Sequence, residues 1–403
     1  MTEVLWDCRI FDPETASATE RRVITLEGDE IRSIDEVSDG VEAPEGAYDL
    51  GGATVLPGLI DAHAHVASDT TRSPGFGPPP IQHGEPPRPA GLAHYVLAAT
   101  AVRFLHSGFT TVRDVGAYED EVFALRAAID TGLVPGPRVY TCGRIVSATG
   151  PGGEIFQSMY READGPWEMR KAVREQIRRG AEFIKFMATG ARSVVLEDPE
   201  PPQMTLEEMK AIVDEAHRMG KRVAAHAEGL EGTRWALEAG ADTIEHGLAL
   251  HREPRLLDDM AERGTVLVPT LSTFHDLAER FANIFPVVLV EQAKRQLDEA
   301  MRTVETARRA GVTIALGYDS GPPGSSAMEL MRLTEAGLTA VEGVRAATLG
   351  GAAALGRDDL GRIGVGCRAD LVVVDGRPDE DPAVLTKPES IRLVVGRGKV
   401  FAT

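Results

Sequence analysis

The sequence predicts an α/β protein: a (β/α)8 barrel with a small β-sandwich formed by its N- and C-terminal segments. Two observations lead there. From about residue 53 to 355, short apolar strands alternate with stretches of helical period, giving eight strand candidates. Outside that span the chain is rich in β-type runs bounded by glycine and proline, and neither end is long enough to bury a core alone. Residues 1–52 and 356–403 are therefore expected to pair into one small domain beside the barrel of 53–355.

In the N-terminal segment, Val23-Ile24-Thr25-Leu26 and Glu30-Ile31-Arg32-Ser33-Ile34 flank Glu27-Gly28-Asp29, a hairpin signal. The first barrel strand is read over 54–65. The others are 109–114, 138–142, 183–187, 222–226, 243–246, 265–269 and 313–319. Among the helices, 205–219 has the clearest start. Thr205 with Glu208 three residues on forms a capping box, and Gly220 suits the position just past the end. Two connections are unusually long. One is 67–91, with Arg72, His83 and Arg88; the other is 144–166, with Gly150-Pro151-Gly152-Gly153-Glu154. Both follow barrel strands, so both are expected to lie over the barrel mouth as lids. The C-terminal segment supplies further strands over 370–375 and 391–395.

Composition narrows the function classes. The 403 residues carry a net charge of −19. Phosphate backbones and anionic membrane surfaces both need clustered Lys and Arg, so nucleic acid and membrane are excluded as partners. Only seven of the 43 basic residues are lysine, a composition of GC-rich genomes or of a high-salt cytoplasm. Cys8, Cys142 and Cys367 lie far apart without CxxC spacing, so no disulfide framework or cysteine zinc site follows. The start shows neither a basic n-region nor an apolar h-region, and no apolar run reaches the ~18–20 residues of a membrane span. A cytoplasmic enzyme is expected.

The chemistry is concentrated at strand ends. His63 and His65 stand two apart, and on a strand such residues share a face, so both imidazoles aim at one point. His226 ends the fifth strand, His246 the sixth and Asp319 the eighth. Five metal-type ligands thus fall at one end of the barrel, where active sites of this architecture sit. Lys185 lies within the apolar strand Phe183-Ile184-Lys185-Phe186-Met187. Burial of a charged lysine is costly and lowers its pKa. Such a lysine either snorkels to the barrel rim or, as a neutral amine, reacts with carbon dioxide. The resulting carbamate is an anionic oxygen ligand able to bridge two metals.

These stretches resemble the amidohydrolase superfamily, and within it the imidazolonepropionase-like and prolidase-like (Xaa-Pro dipeptidase-type) branch. The resemblance is carried by Leu56-Pro57-Gly58-Leu59-Ile60-Asp61-Ala62-His63-Ala64-His65, Ile184-Lys185-Phe186-Met187-Ala188-Thr189-Gly190, His226-Ala227-Glu228-Gly229, Ile244-Glu245-His246-Gly247 and Leu316-Gly317-Tyr318-Asp319. The closing Gly364-Val365-Gly366-Cys367-Arg368-Ala369-Asp370-Leu371-Val372-Val373 is similar to that superfamily's return to its β-sandwich. The resemblance implies a centre of two divalent metal ions, usually zinc. One ion would be held by His63, His65 and Asp319, the other by His226 and His246. Carboxylated Lys185 and a hydroxide nucleophile would bridge them. Asp319 would act as general base and then acid. The implied reaction is hydrolysis of an amide bond in a small substrate, an Xaa-Pro dipeptide or an N-acyl amino acid. A homo-oligomer is implied by analogy with relatives.

The chain departs from that pattern in two places. Prolidase-like relatives often show Gly-Gly-His-Gly after strand three; here Gly152 stands at the histidine's place. After Gly190 the run Ala191-Arg192-Ser193-Val194-Val195 replaces a glycine-rich one. Arg192 is a candidate for a substrate carboxylate through its planar fork, and His275 a candidate replacement for the missing histidine. A second reading is a mononuclear deaminase or cyclic-amidine hydrolase, in which Glu228, two residues past His226, would be catalytic. Lys185 discriminates, since a carbamate ligand favours the two-metal hydrolase. A third reading, a non-catalytic relative, sits poorly with retention of all six ligands.

Overall fold

The computed structural model describes residues 2–38, 40–66, 91–118, 120–191, 194, 196–280, 282–283, 285–319 and 324–402. Five strands come first: β1 (Thr2–Asp12), β2 (Ser17–Glu27), β3 (Glu30–Glu36), β4 (Tyr48–Asp49) and β5 (Thr54–Pro57). The middle of the chain holds β6 (Leu59–Ala64), β7 (Phe109–Asp114), β8 (Arg138–Thr141), β9 (Ile145–Ser147), β10 (Tyr160–Glu162), β11 (Phe183–Met187), β12 (Arg222–Ala227), β13 (Thr243–His246) and β14 (Val266–Val268). The chain closes with β15 (Leu371–Val374), β16 (Ile391–Gly396) and β17 (Lys399–Ala402).

The two ends do share one sheet. Its order is β17-β16-β15-β5-β1-β2-β3, with β4 on β1, and the joint is the antiparallel pair of β15 with β5. The hairpin expected at Gly28 pairs Glu27 with Glu30, and Gly28 takes the left-handed φ of 61° that the turn requires. Leu5, Ile24, Val55, Leu371, Val373 and Val395 form this sheet's own apolar cluster.

The expected first barrel strand over 54–65 is divided. Residues Thr54–Pro57 pair with the terminal strands, and Leu59–Ala64 begin the parallel array. Gly58 is the crossing point, where a Cβ would lie 2.0 Å from Thr110 Oγ1, so only glycine passes.

The middle is α/β with parallel sheets: β6-β7-β8, and β10-β9-β11-β12-β13-β14. Helices connect most of the strands. Leu206–Arg218 starts at the capping box of Thr205 and Glu208, and Met209, Ile212, Val213 and Ala216 form its buried face. Met209, Ile212 and Val213 each contribute roughly 1.5–3 kcal/mol on burial.

The expected strand over 313–319 is not a regular strand. It meets its neighbours only through the isolated bridges Leu267–Ile314 and Ala64–Asp319. Hydrogen bonds nonetheless run to both sides, from Leu267 N to Thr313 O, Ala315 N to Leu267 O, Ala62 N to Leu316 O and Asp319 N to His63 O, at 2.7–2.9 Å. Close packing disturbs the ladder here: a Cβ on Gly317 would lie 2.6 Å from His63 Cβ, and Asp319 turns into the left-handed region at φ 67°.

The long connection 144–166 is also structured. It carries β9, a helix over Pro151–Phe156 and β10. The other expected lid, with Arg72, His83 and Arg88, falls almost wholly outside the described residues. Among the described residues no helix is long and apolar enough to cross a membrane.

Candidate metal centre

Strands β6, β11, β12 and β13 and the segments that follow or adjoin them bring six polar side chains to one region. His63 is near the end of β6, and His65 follows it. Lys185 is the central residue of β11, His226 is the penultimate residue of β12, His246 ends β13, and Asp319 ends the bridged segment. All six are buried or nearly so. His63, His65 and Asp319 each offer one ligand atom, all lying within 4.8 Å of one another. Nε2 of His63 and of His65 lie 3.7 and 3.5 Å from Asp319 Oδ1. The imidazoles continue as a chain. Ring centroids are 5.1 Å apart for His63 and His246, and 4.6 Å for His226 and His246.

The other ring nitrogens have partners, and a carbonyl or carboxylate partner sets the tautomer. His65 Nδ1 faces the Gly116 carbonyl at 2.9 Å, and His226 Nε2 faces the Gly190 carbonyl at 3.1 Å. A carbonyl only accepts, so these nitrogens donate, leaving His65 Nε2 and His226 Nδ1 as the acceptors of their neutral rings. His63 Nδ1 lies 2.6 Å from Glu245 Oε2, and His246 Nδ1 lies 2.7 Å from Thr270 Oγ1. Burial, reinforced by the neighbouring Lys185 charge, pushes the His63 pKa far down and keeps the ring in its ligand form. Lys185 is itself lowered to about 8, chiefly by burial, so neutral amine is accessible near neutrality.

The backbone is strained at this end of the array. His246, Thr270 and Asp319 are non-glycine residues at φ 70°, 49° and 67°. Each left-handed residue costs on the order of 1–3 kcal/mol and persists where its surroundings over-determine it. Two of the three are candidate ligands, and the third is bonded to one of them.

The donor set fits divalent cations. Four imidazoles and a carboxylate are zinc-type ligands. An ammonium is not, but its carbamate is, so Lys185 fits once carboxylated.

The remaining sequence candidates are not among these six side chains. Gly152 lies in the Pro151–Phe156 helix, and its amide donates to Glu197 Oε1 at 2.7 Å. A Cβ there would meet that oxygen at 2.7 Å, so Glu197 fills the space next to a side chain at this position. Glu197 Oε2 also accepts from Ala191 N at 2.7 Å, tying the connection after β9 to that after β11. His275 lines a cavity of about 480 Å³ with Asp276, Arg280, Tyr318, Met328 and Arg332. Burial and the Arg332 charge lower its pKa. Arg192 lies outside the described residues.

Sequence reasoning missed the supporting residues. Arg113 and Glu245 form a buried ion pair at 2.7 Å beside His63. Asp61 is fully buried, and burial raises its pKa to about 6. The signal for Arg113 was the one read for Lys185, a charge inside an apolar strand.

Several known proteins resemble this chain over most of its length. An ochratoxinase from Aspergillus niger is 32% identical over 374 residues, covering 86% of this chain and 75% of that protein. An imidazolonepropionase from Streptomyces griseus subsp. griseus is 28% identical over 384 residues, covering 87% and 85%. The crystal structure of a Xaa-Pro dipeptidase with bound methionine in the active site superposes with a TM-score of 0.88 at 30% identity, covering 100% of both chains. The pattern of the amidohydrolase family matches residues 54–401. The chain belongs to the amidohydrolase family, hydrolases acting on C–N bonds.

Proposed function

We propose that the protein is a metal-dependent amidohydrolase cleaving the amide bond of an Xaa-Pro dipeptide or an N-acyl amino acid. One observation carries the reading: buried His63, His226 and His246, half-buried His65 and buried Asp319 gather at one end of the parallel strands, with buried Lys185 close enough to act on His63 and Asp319. Two divalent ions, zinc by donor type, would be held there, one by His63, His65 and Asp319 and one by His226 and His246. Carboxylated Lys185 would join them. Its neutral amine adds to carbon dioxide with release of one proton. When bound, zinc supplies a Lewis acid for the amide carbonyl and lowers the pKa of bound water to about 7.

The chain's own residues do the rest. Asp319 accepts the attacking water's proton and returns it to the leaving nitrogen. Ile145, Phe156, Met159, Tyr160, Met187 and Val194 form an apolar cluster close by: a Cβ on Gly116 would touch both Ile145 and the His65 ring. Arg192 and His275 are the candidates for the substrate's polar end, and Gly152 leaves the place of the usual histidine to Glu197. The Xaa-Pro dipeptidase and ochratoxinase likenesses support this substrate class.

The same reading makes the parallel sheets and residues 313–319 one (β/α)8 barrel over 53–355. The small β-sandwich is 1–52 plus 356–403, with β5 lent to it.

One contact favours a mononuclear deaminase or cyclic-amidine hydrolase instead. Glu228 Oε1 lies 3.5 Å from His226 Nε2. Metal content decides between them, measured by elemental analysis on protein prepared with bicarbonate and no chelator. Two ions per chain are expected, and Lys185→Ala should lose at least one ion and most activity. One ion per chain, with turnover unchanged in Lys185→Ala, would rule out the carbamate centre.

A further inference from the structure

A buried strut runs beneath the candidate ligands. The Arg113 guanidinium on β7 donates from Nη2 to Glu245 Oε1 at 2.7 Å, from Nη1 to Thr243 Oγ1 at 3.1 Å and from Nε to the Ala62 carbonyl. Its Cζ lies 5.3 Å from the ring centroid of Phe183. Residues of β6, β7, β11 and β13 therefore meet at one side chain. Arg113 and Glu245 are 2% and 0% exposed. A carboxylate buried that deeply without a counter-charge would be costly, and Arg113 supplies the charge. The Thr243 hydroxyl donates to the same Oε1. The other oxygen, Oε2, is left for His63 Nδ1 at 2.6 Å.

We propose that Glu245, held by Arg113 and Thr243, is a positioning residue that fixes the tautomer of His63 and so sets the affinity of the metal site built on His63, His65 and Asp319. The inference rests on the metal-dependent reading above. An ionised carboxylate only accepts, so Nδ1 of His63 donates and Nε2, the nitrogen facing Asp319, keeps its lone pair. Outer partners of this kind are worth 10–100-fold in metal affinity. Glu245 differs from the other partners. His65 and His226 face backbone carbonyls, which no substitution inverts. His246 faces a hydroxyl, which serves either tautomer. Glu245 is the partner that one isosteric change turns from acceptor to donor. In Glu245→Gln the amide oxygen stays with Arg113 and Thr243, and the NH2 group faces Nδ1. The ring then carries its proton on Nε2, where the metal belongs.

The test is zinc titration against a chelating indicator, with the melting temperature of metal-free protein measured alongside. In Glu245→Gln one zinc site should weaken 10–100-fold, the other should keep its wild-type affinity, and the metal-free melting temperature should stay close to wild type. Wild-type affinity at every site, or equal weakening of both, overturns the inference. So does a lowered melting temperature with unchanged affinity, which marks a merely structural role. Independently of any variant's folding, nitrogen-15 spectra of the histidine rings in metal-free wild type should show His63 protonated on Nδ1; the Nε2–H form overturns it. If wild-type protein binds no divalent metal at all, the proposed function fails rather than this inference.

Discussion

The two halves of the candidate ligand set are held by different means. Lys185, His226 and His246 stand on β11, β12 and β13, which pair in continuous register. Lys185 lies opposite Ala224, Met187 opposite His226, and Ala227 opposite His246. The backbone ladder alone fixes their relative places. His63, His65 and Asp319 stand at a seam, where Ala64 and Asp319 meet only as an isolated bridge. There a side chain does the joining. Asp61 accepts from His63 N at 3.1 Å, Tyr318 N at 3.2 Å and Ser326 Oγ at 2.6 Å. Asp114 acts alike across β6, β7 and β8, accepting from Val66 N and Thr141 Oγ1 at 2.9 Å each. Where the ladder is interrupted, buried carboxylates supply the acceptors that backbone groups must still find.

If the seam half carries proton transfer, the largest effect is expected there. Asp319→Asn keeps the shape but removes the acceptor, and general acid–base groups are worth about 10²–10⁴-fold. Turnover should fall by that factor, and the urea midpoint should move far less than removal of a core side chain would move it. Steady-state kinetics beside urea denaturation reads both. Turnover within tenfold of wild type would move proton transfer to another residue.

Next in size is the stitch itself. Asp61→Ala leaves two backbone N–H groups and one hydroxyl without their acceptor, at about 1–3 kcal/mol for each buried group left unpaired. Stability should drop by about 3–5 kcal/mol, and metal should be lost first from the seam half. A small drop in the urea midpoint would mean that the isolated bridges hold the seam unaided.

How much of this was legible in the sequence follows the same division. The ladder half reads easily, because Lys185, His226 and His246 sit in short apolar strands of regular period. His63 and His65 were legible from their spacing, and Asp319 from its place at the end of an apolar run. The seam was not. That the run 54–65 splits at Gly58 depends on Thr110, which lies far along the chain. That 313–319 pairs only by bridges depends on Gly317 against His63. The Arg113–Glu245 pair needs the register across several strands, and single-sequence periodicity gives none. Glu197 was hidden for another reason: its role is to fill the space left by Gly152, and an absence has no pattern to read.

The smallest expected effect lies outside the ladder half, where ionic contacts sit between helices rather than under ligands. Glu215, on the helix Leu206–Arg218, is 1% exposed and accepts from Arg174 Nε at 2.7 Å and Nη2 at 3.2 Å, with Arg218 and Arg170 adjacent. The Arg174 hydrogen bond leads in lowering its pKa from 4.5 to about 2. A lowered carboxyl pKa means that this stability is fully present above pH 4.5 and is lost as pH falls toward about 2. Arg174 is 59% exposed, so solvent screening keeps the contribution small. Glu215→Gln should therefore lower stability slightly at pH 7, and the two stability curves should converge near pH 2. A gap that stays constant across this range would assign the loss to packing instead of charge. Turnover should not change, because the ladder fixes Lys185 and His226 without help from the helix surface. A fall in turnover would show that the helices, and not the backbone register, place the ligands of this half.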